Sequence, residues 1–160
     1  MENLKKLVVY YSLEGNTKLI AEAIASETGA DLLELKPIKD VSPTGFMRFV
    51  WGGKQVMFKE RPELQPVNVK IEDYDVIYMG SPVWAGSYAP AFNTFFNNHQ
   101  IIGKKIGLFG CYGGQEGKLF INYRNQLEGN EIIGEIGFKN PLTLSKQESQ
   151  LRAKEWAKKY

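Results

Sequence analysis

The chain has 160 residues, 43% of them hydrophobic and 24% charged, with a formal net charge of +2. That length supports one domain, 1–160, with a core of its own, and the near-neutral total makes no demand for nucleic acid or a membrane surface. A single cysteine, Cys111, excludes an internal disulfide and a cysteine-based metal cluster.

The opening MENLKKLVVYYS returns to polar residues after a short apolar run, so it reads as neither signal peptide nor membrane span, and a cytoplasmic location is the default. Leu7 to Tyr11 is β-branched and aromatic without polar alternation, which predicts a strand buried on both faces of a parallel sheet. After the loop SLEGNT, the stretch TKLIAEAIASETG sets Ile20, Ala23 and Ile24 on one helical face, with Gly29 as its stop. DLLEL at 31–35 is a second strand.

Residues 36–66 stand where the fold needs one helix. Phe46, Met47, Val50, Trp51, Met57 and Phe58 form a helical stripe interrupted by Gly52 and Gly53, which predicts a long crossover helix; a dimer contact or a flap near a ligand is the alternative. Six Lys and Arg against three acids between Lys36 and Glu63 make this face locally basic.

YDVIYMG at 74–80 is a third strand, KKIGLFG at 104–110 a fourth, and EIIGEIGF at 131–138 a fifth, weakened by glycines. Helices fit at 89–98, where Pro90 reads as a helix start, at 116–127 and at 145–159. The last carries a capping-box pattern, Ser145 with Glu148, followed by Ala153, Trp156, Ala157 and Tyr160 at helical spacing.

Strands alternating with helices predict a parallel α/β sheet with right-handed crossovers, whose ligands sit beyond the carboxyl ends of the strands. Three of those ends share one kind of sequence: SLEGNT, GSPVWAGSYAP at 80–90 and GCYGGQEG at 110–117. Glycines and small residues let backbone approach a ligand closely. One polar loop and two loops with flat side chains, Trp84 and Tyr112, fit a ligand with an anionic end and a planar end. Trp84 is otherwise a core tryptophan, and Tyr112 a surface tyrosine. Cys111 with His99 as its base is a formal hydrolase alternative, but Gly117 stands where a phosphatase loop would carry arginine.

The three loops in register resemble those of the flavodoxin-like FMN-binding proteins, a group that includes short-chain flavodoxins and quinone reductases, over essentially the whole chain. SLEGNT resembles the family phosphate loop [ST]-x-T-G-x-T. The resemblance implies a three-layer sandwich: a five-stranded parallel sheet of order 2-1-3-4-5 with helices on both faces. It implies FMN as cofactor, held by Ser12, Leu13, Glu14, Gly15, Asn16 and Thr17. Ser81, Pro82, Val83, Trp84, Ala85 and Gly86 form the second loop, and Cys111, Tyr112, Gly113 and Gly114 the third. Glu14 replaces the usual threonine. A carboxylate repels a phosphate dianion, so the expected geometry gives its backbone N–H to the site and turns the side chain outward. Gly86 matches the glycine whose peptide, in short-chain flavodoxins, turns over on reduction to meet the protonated flavin N5.

The leading functional expectation is an FMN-binding electron-transfer protein with no catalytic residue and no metal. The alternative is an NAD(P)H-dependent reductase of quinone or flavin type, and a flavin-free interaction domain is a distant third. Redox proteins or NAD(P)H are the implied partners, with a monomer or homodimer. The slightly positive total departs from the acidic surface usual in flavodoxins.

Overall fold

The computed structural model describes residues 3–39 and 60–160. The expected crossover helix and its apolar stripe fall mostly on residues 40–59, outside the described residues.

Five strands form one sheet: β1 (Lys6–Tyr10), β2 (Asp31–Glu34), β3 (Val76–Pro82), β4 (Lys105–Tyr112) and β5 (Glu131–Lys139). Their order is β2-β1-β3-β4-β5, and every neighbouring pair is parallel. Helix α1 (Asn16–Thr28) and helix α5 (Lys146–Ala157) cover one face, and α2 (Ala91–Asn98) and α3 (Leu119–Gln126) the other. A one-turn helix, α4 (Pro141–Leu144), links β5 to α5.

Alternation along the strands feeds two cores. Leu7, Val9, Ile77, Met79, Ile106 and Leu108 meet Phe92, Phe95, Leu119 and Tyr123 on one face. Val8, Val76, Tyr78 and Phe109 meet Ile20, Ile24, Ala153 and Trp156 on the other. Both faces are therefore dry, which explains the unbroken apolar runs. α1 ends where expected, at Gly29 with φ 72 and its N–H on Ala25 O.

The glycines of β4 and β5 have a packing cause. A Cβ at Gly107 would lie 2.8 Å from the Tyr78 ring and 3.0 Å from Trp156, and one at Gly134 would meet Trp156 and the Tyr160 hydroxyl. These glycines are the sockets for the aromatic end of α5, which is further tied by Lys6 Nζ donating to Tyr160 O at 2.6 Å. The capping box is corrected: Ser145 makes no cap bond, because its hydroxyl pairs with that of Ser149 at 2.9 Å. α4 runs straight into α5, so the Ser145 N–H is already spent on Pro141 O.

Among the described residues no helix is long and apolar enough to cross a membrane, and no group of three or more His, Cys, Asp or Glu is placed to hold a metal.

Candidate functional site

The carboxyl ends of β1, β3 and β4 converge on a cleft of about 230 Å³. Its first wall is the loop 12–17. The Ser12 hydroxyl accepts from Gly15 N and Lys18 N, both at 3.2 Å, and so shapes the turn and caps α1 from inside the loop. Gly15 takes φ 102, which a side-chain-bearing residue rarely adopts. The N–H groups of Asn16 and Thr17 meet no acceptor among the described residues. They open the N-terminus of a 13-residue helix, where the dipole favours an anion.

Thr17 adds the most pointed feature. It is 1% exposed, lines the cleft, and its Oγ1 has no hydrogen-bond partner. A buried hydroxyl left unpaired is costly, so an acceptor supplied from outside the chain is the natural completion. Glu14 is exposed at the cleft rim. Asn16 lines the cleft, and its Oδ1 accepts from Leu142 N at 3.0 Å, which docks α4 on the loop.

The second wall is Pro82, Val83 and Trp84. Trp84 is half-buried and meets Tyr11 edge-on at 5.3 Å, so it joins the core by one edge while its indole lines the cleft. The third wall is Cys111, Tyr112 and Gly113. Val83 N donates to Cys111 O at 2.9 Å and joins the two walls.

Besides Gly15, which shapes the first loop without lining the cleft, four expected residues lie outside the lining. Ser81 is fully buried, accepting from Ala89 N and donating to Pro82 O, both at 2.8 Å, so its hydroxyl is used up inside the fold. Ala85 lines a different groove. Gly114 is exposed, outside the cleft lining. Gly86 is held in a turn. Trp84 and Ser87 exchange both backbone hydrogen bonds at 2.9 Å around Ala85 (φ 48) and Gly86 (φ 78). A two-residue hairpin with both central φ positive is a type I′ turn. Gly86 O then accepts from Lys118 N at 2.7 Å, and a Cβ on Gly117 would come 2.7 Å from Gly86 Cα. The turn of the second loop is thus clamped to the third.

Cys111 and His99 do not form a dyad. Cys111 ends β4 while His99 ends α2, before β4 begins, so they sit at opposite ends of the sheet. Burial pushes the Cys111 thiol up to about 12; the Thr17 hydroxyl lies near enough to act the other way but lacks the geometry of a hydrogen bond to it. The His99 ring lies 4.8 Å from Phe95, and burial lowers its pKa.

Sequence reasoning missed Asn140. It ends β5 in the left-handed region at φ 39, donates its N–H to Tyr112 O at 2.9 Å, and turns its amide into the cleft beside Gly113. The signal was the Asn-Pro step, since Asn tolerates αL and Pro141 starts the next helix.

The flavodoxin family model matches residues 5–160. An NAD(P)H dehydrogenase (quinone) from Caulobacter vibrioides is 31% identical over 157 residues, covering 88% of this chain and 75% of its own length. A flavodoxin-like domain-containing protein, BilS, from Clostridioides difficile is 32% identical over 137 residues, covering 82% of this chain and 63% of its own. A flavoprotein from Lactobacillus acidophilus, solved in complex with FMN, superposes with a TM-score of 0.72 at 26% identity, covering 89% of this chain and 97% of its own. With its sheet order, its three-loop cleft and a family match from residue 5 to the last residue, the chain belongs to the flavodoxin family.

Proposed function

We propose that this chain binds FMN in the three-loop cleft and serves as a two-electron oxidoreductase toward a small organic partner. The cleft's donor set fits the cofactor: two open helix-terminal N–H groups and an orphaned buried hydroxyl for a phosphate, and flat or small side chains for a ring system. When bound, FMN supplies reversible redox chemistry that runs in one- or two-electron steps. The protein supplies position, water exclusion and hydrogen bonds. In the proposed complex the Asn16 and Thr17 amides and Thr17 Oγ1 hold the phosphate, Trp84 and Tyr112 flank the ring, and Asn140 offers an amide at its edge.

The observation that carries the two-electron reading is the clamped turn. A carrier that favours the one-electron state by turning over the peptide in the second loop needs that peptide free. Here turning the Gly86 carbonyl away breaks its bond to Lys118 N and drives it against Gly117. Turning the Ala85–Gly86 peptide instead converts type I′ to II′, which requires glycine where Ala85 stands. The loop presents the same groups in every redox state. The relative named NAD(P)H dehydrogenase (quinone) supports the same reading and points to NAD(P)H as reductant.

The test is anaerobic reduction of the purified yellow protein, by light and by stopped-flow mixing with NADPH and NADH. The expected course runs from yellow to colourless with no build-up of long-wavelength absorbance, and at least one nicotinamide bleaches the flavin directly. Strong long-wavelength absorbance on photoreduction, with no bleaching by either nucleotide, overturns the reading in favour of a one-electron carrier.

A further inference from the structure

On the outer side of the clamped turn lies a second and larger cavity, about 790 Å³, between α2 and α3. One turn separates the two spaces. Val83 and Trp84 face the cleft, and Ala85 and Ser87 face the groove. The groove's floor is aromatic. Tyr88 stacks on Tyr123 at 4.8 Å and meets Phe96 edge-on at 5.6 Å, so both lining rings are fixed by packing.

The walls are unusually rich in side-chain amides: Asn93, Asn97, Asn122, Asn125 and Gln126. Several are oriented by the protein. Asn93 Nδ2 donates to Glu60 O at 3.0 Å, and Asn122 Nδ2 donates to Ser87 Oγ at 2.8 Å, which leaves both amide oxygens open to a donor. Asn125 and Gln126 make no side-chain hydrogen bond among the described residues and offer both a donor and an acceptor.

Arg61 supplies the charge, as the one ionised group among the described lining residues. Its backbone is held on both sides, because Glu60 O accepts from Asn93 and Pro62 O accepts from Thr94 Oγ1 at 2.6 Å. No carboxylate pairs with it among the described residues. A guanidinium with no carboxylate partner among the described residues, sharing one groove with two packed aromatic rings and five side-chain amides, is complementary to a flat molecule bearing an acidic group.

We infer that this groove is a binding site, separate from the flavin cleft, for a planar organic anion whose acidic group meets Arg61 and whose ring lies on Tyr88 and Phe96. It does not rest on the two-electron reading: the fixed turn stands between the two spaces, so a molecule held here exchanges no hydride with a flavin in the cleft, and no bond is made or broken in the groove.

The test uses FMN-loaded protein and two probes, anthraquinone-2-carboxylate and its uncharged methyl ester, with affinity measured by equilibrium titration. The acid is expected to bind more tightly than the ester. Arg61→Gln should cut that preference about tenfold while Arg61→Lys keeps most of it, and Asn125→Asp should weaken the acid selectively. Circular dichroism and flavin content establish that each variant is folded. An acid-to-ester ratio near one, or one that Arg61→Gln leaves unchanged, overturns the groove, and NADPH bleaching of the flavin, which tests the two-electron reading, has no bearing on it.

Discussion

Replacing Thr17 by valine separates the two states of the site. The side chains are nearly isosteric, so no cavity opens and the α1 packing is retained. In the unloaded protein the hydroxyl is buried at 1% exposure without a partner. A buried unpaired polar group costs ~1–3 kcal/mol. Its removal should therefore leave the unloaded protein equally stable or more so, at roughly 2–4 °C per kcal/mol for a chain of this size. In the loaded protein the same change deletes a hydrogen bond to a charged phosphate, worth ~1.5–3 kcal/mol. The dissociation constant for FMN should then rise roughly 10- to 100-fold. Calorimetry of the apoprotein and quenching of FMN fluorescence on titration read the two quantities, and Thr17→Ser should restore the affinity. A Thr17→Val protein that is less stable when unloaded yet binds FMN within about threefold of wild type refutes the assignment. The hydroxyl would then serve the fold.

The exposed position of Glu14 predicts that Glu14→Gln changes FMN affinity by less than about tenfold, whereas a hundredfold tightening would put the carboxylate against the phosphate. Gly117→Ala places a Cβ 2.7 Å from Gly86 Cα at φ 57, so urea unfolding should show a loss of ~1–3 kcal/mol, together with a changed flavin spectrum as the turn shifts. Cys111 should resist thiol reagents at pH 8 in the folded protein and react on unfolding, since its thiolate is disfavoured by burial. Alkali should destabilise the fold. Cys111 and Tyr78 have folded pKa values raised to about 12 from 9.0 and 10.0, so the stability held below pH 9 is lost as pH climbs from 9 toward 12. A urea midpoint that stays flat over that window would contradict their burial.

The strands and the three loops were legible because their information is local. Leu7 to Tyr11 declares a two-faced strand within five residues, and SLEGNT combines a turn glycine, hydroxyls and a helix start in six. Both are patterns of neighbouring side chains acting on their own backbone. What stayed hidden is the part of a residue's role that a distant partner assigns. Ser81 was read only as part of the second loop, and its hydroxyl is claimed by Ala89 N across eight residues. Asn16 lines the cleft, and its oxygen is held by Leu142 across 126 residues of chain. Asn140 stayed hidden because the Asn-Pro step marks a turn at the end of β5 but not a cleft wall. The glycines of β5 argued against a strand when read by propensity alone. Packing reverses that reading, because Trp156 and Tyr160 occupy the space a Cβ would take.

Gly86 shows most clearly how the reading of a local signal depends on its surroundings. A glycine permits a peptide to move, but it also permits a turn too tight for any other residue. Which of the two operates depends on what the turn touches. In WAGS the positive φ of Ala85 shows that the turn imposes its conformation even on a residue that resists it, at ~1–2 kcal/mol for a left-handed non-glycine. Something must hold that strain, and the bonds from Ser87 to Trp84 and from Lys118 to Gly86 do so. A turn held under strain by three backbone hydrogen bonds is a fixed partition rather than a hinge. Its fixity matters on both sides: the cleft keeps one shape toward a flavin, and the amide-lined groove keeps its distance from it. A conformational switch in the same loop would disturb both sites at once.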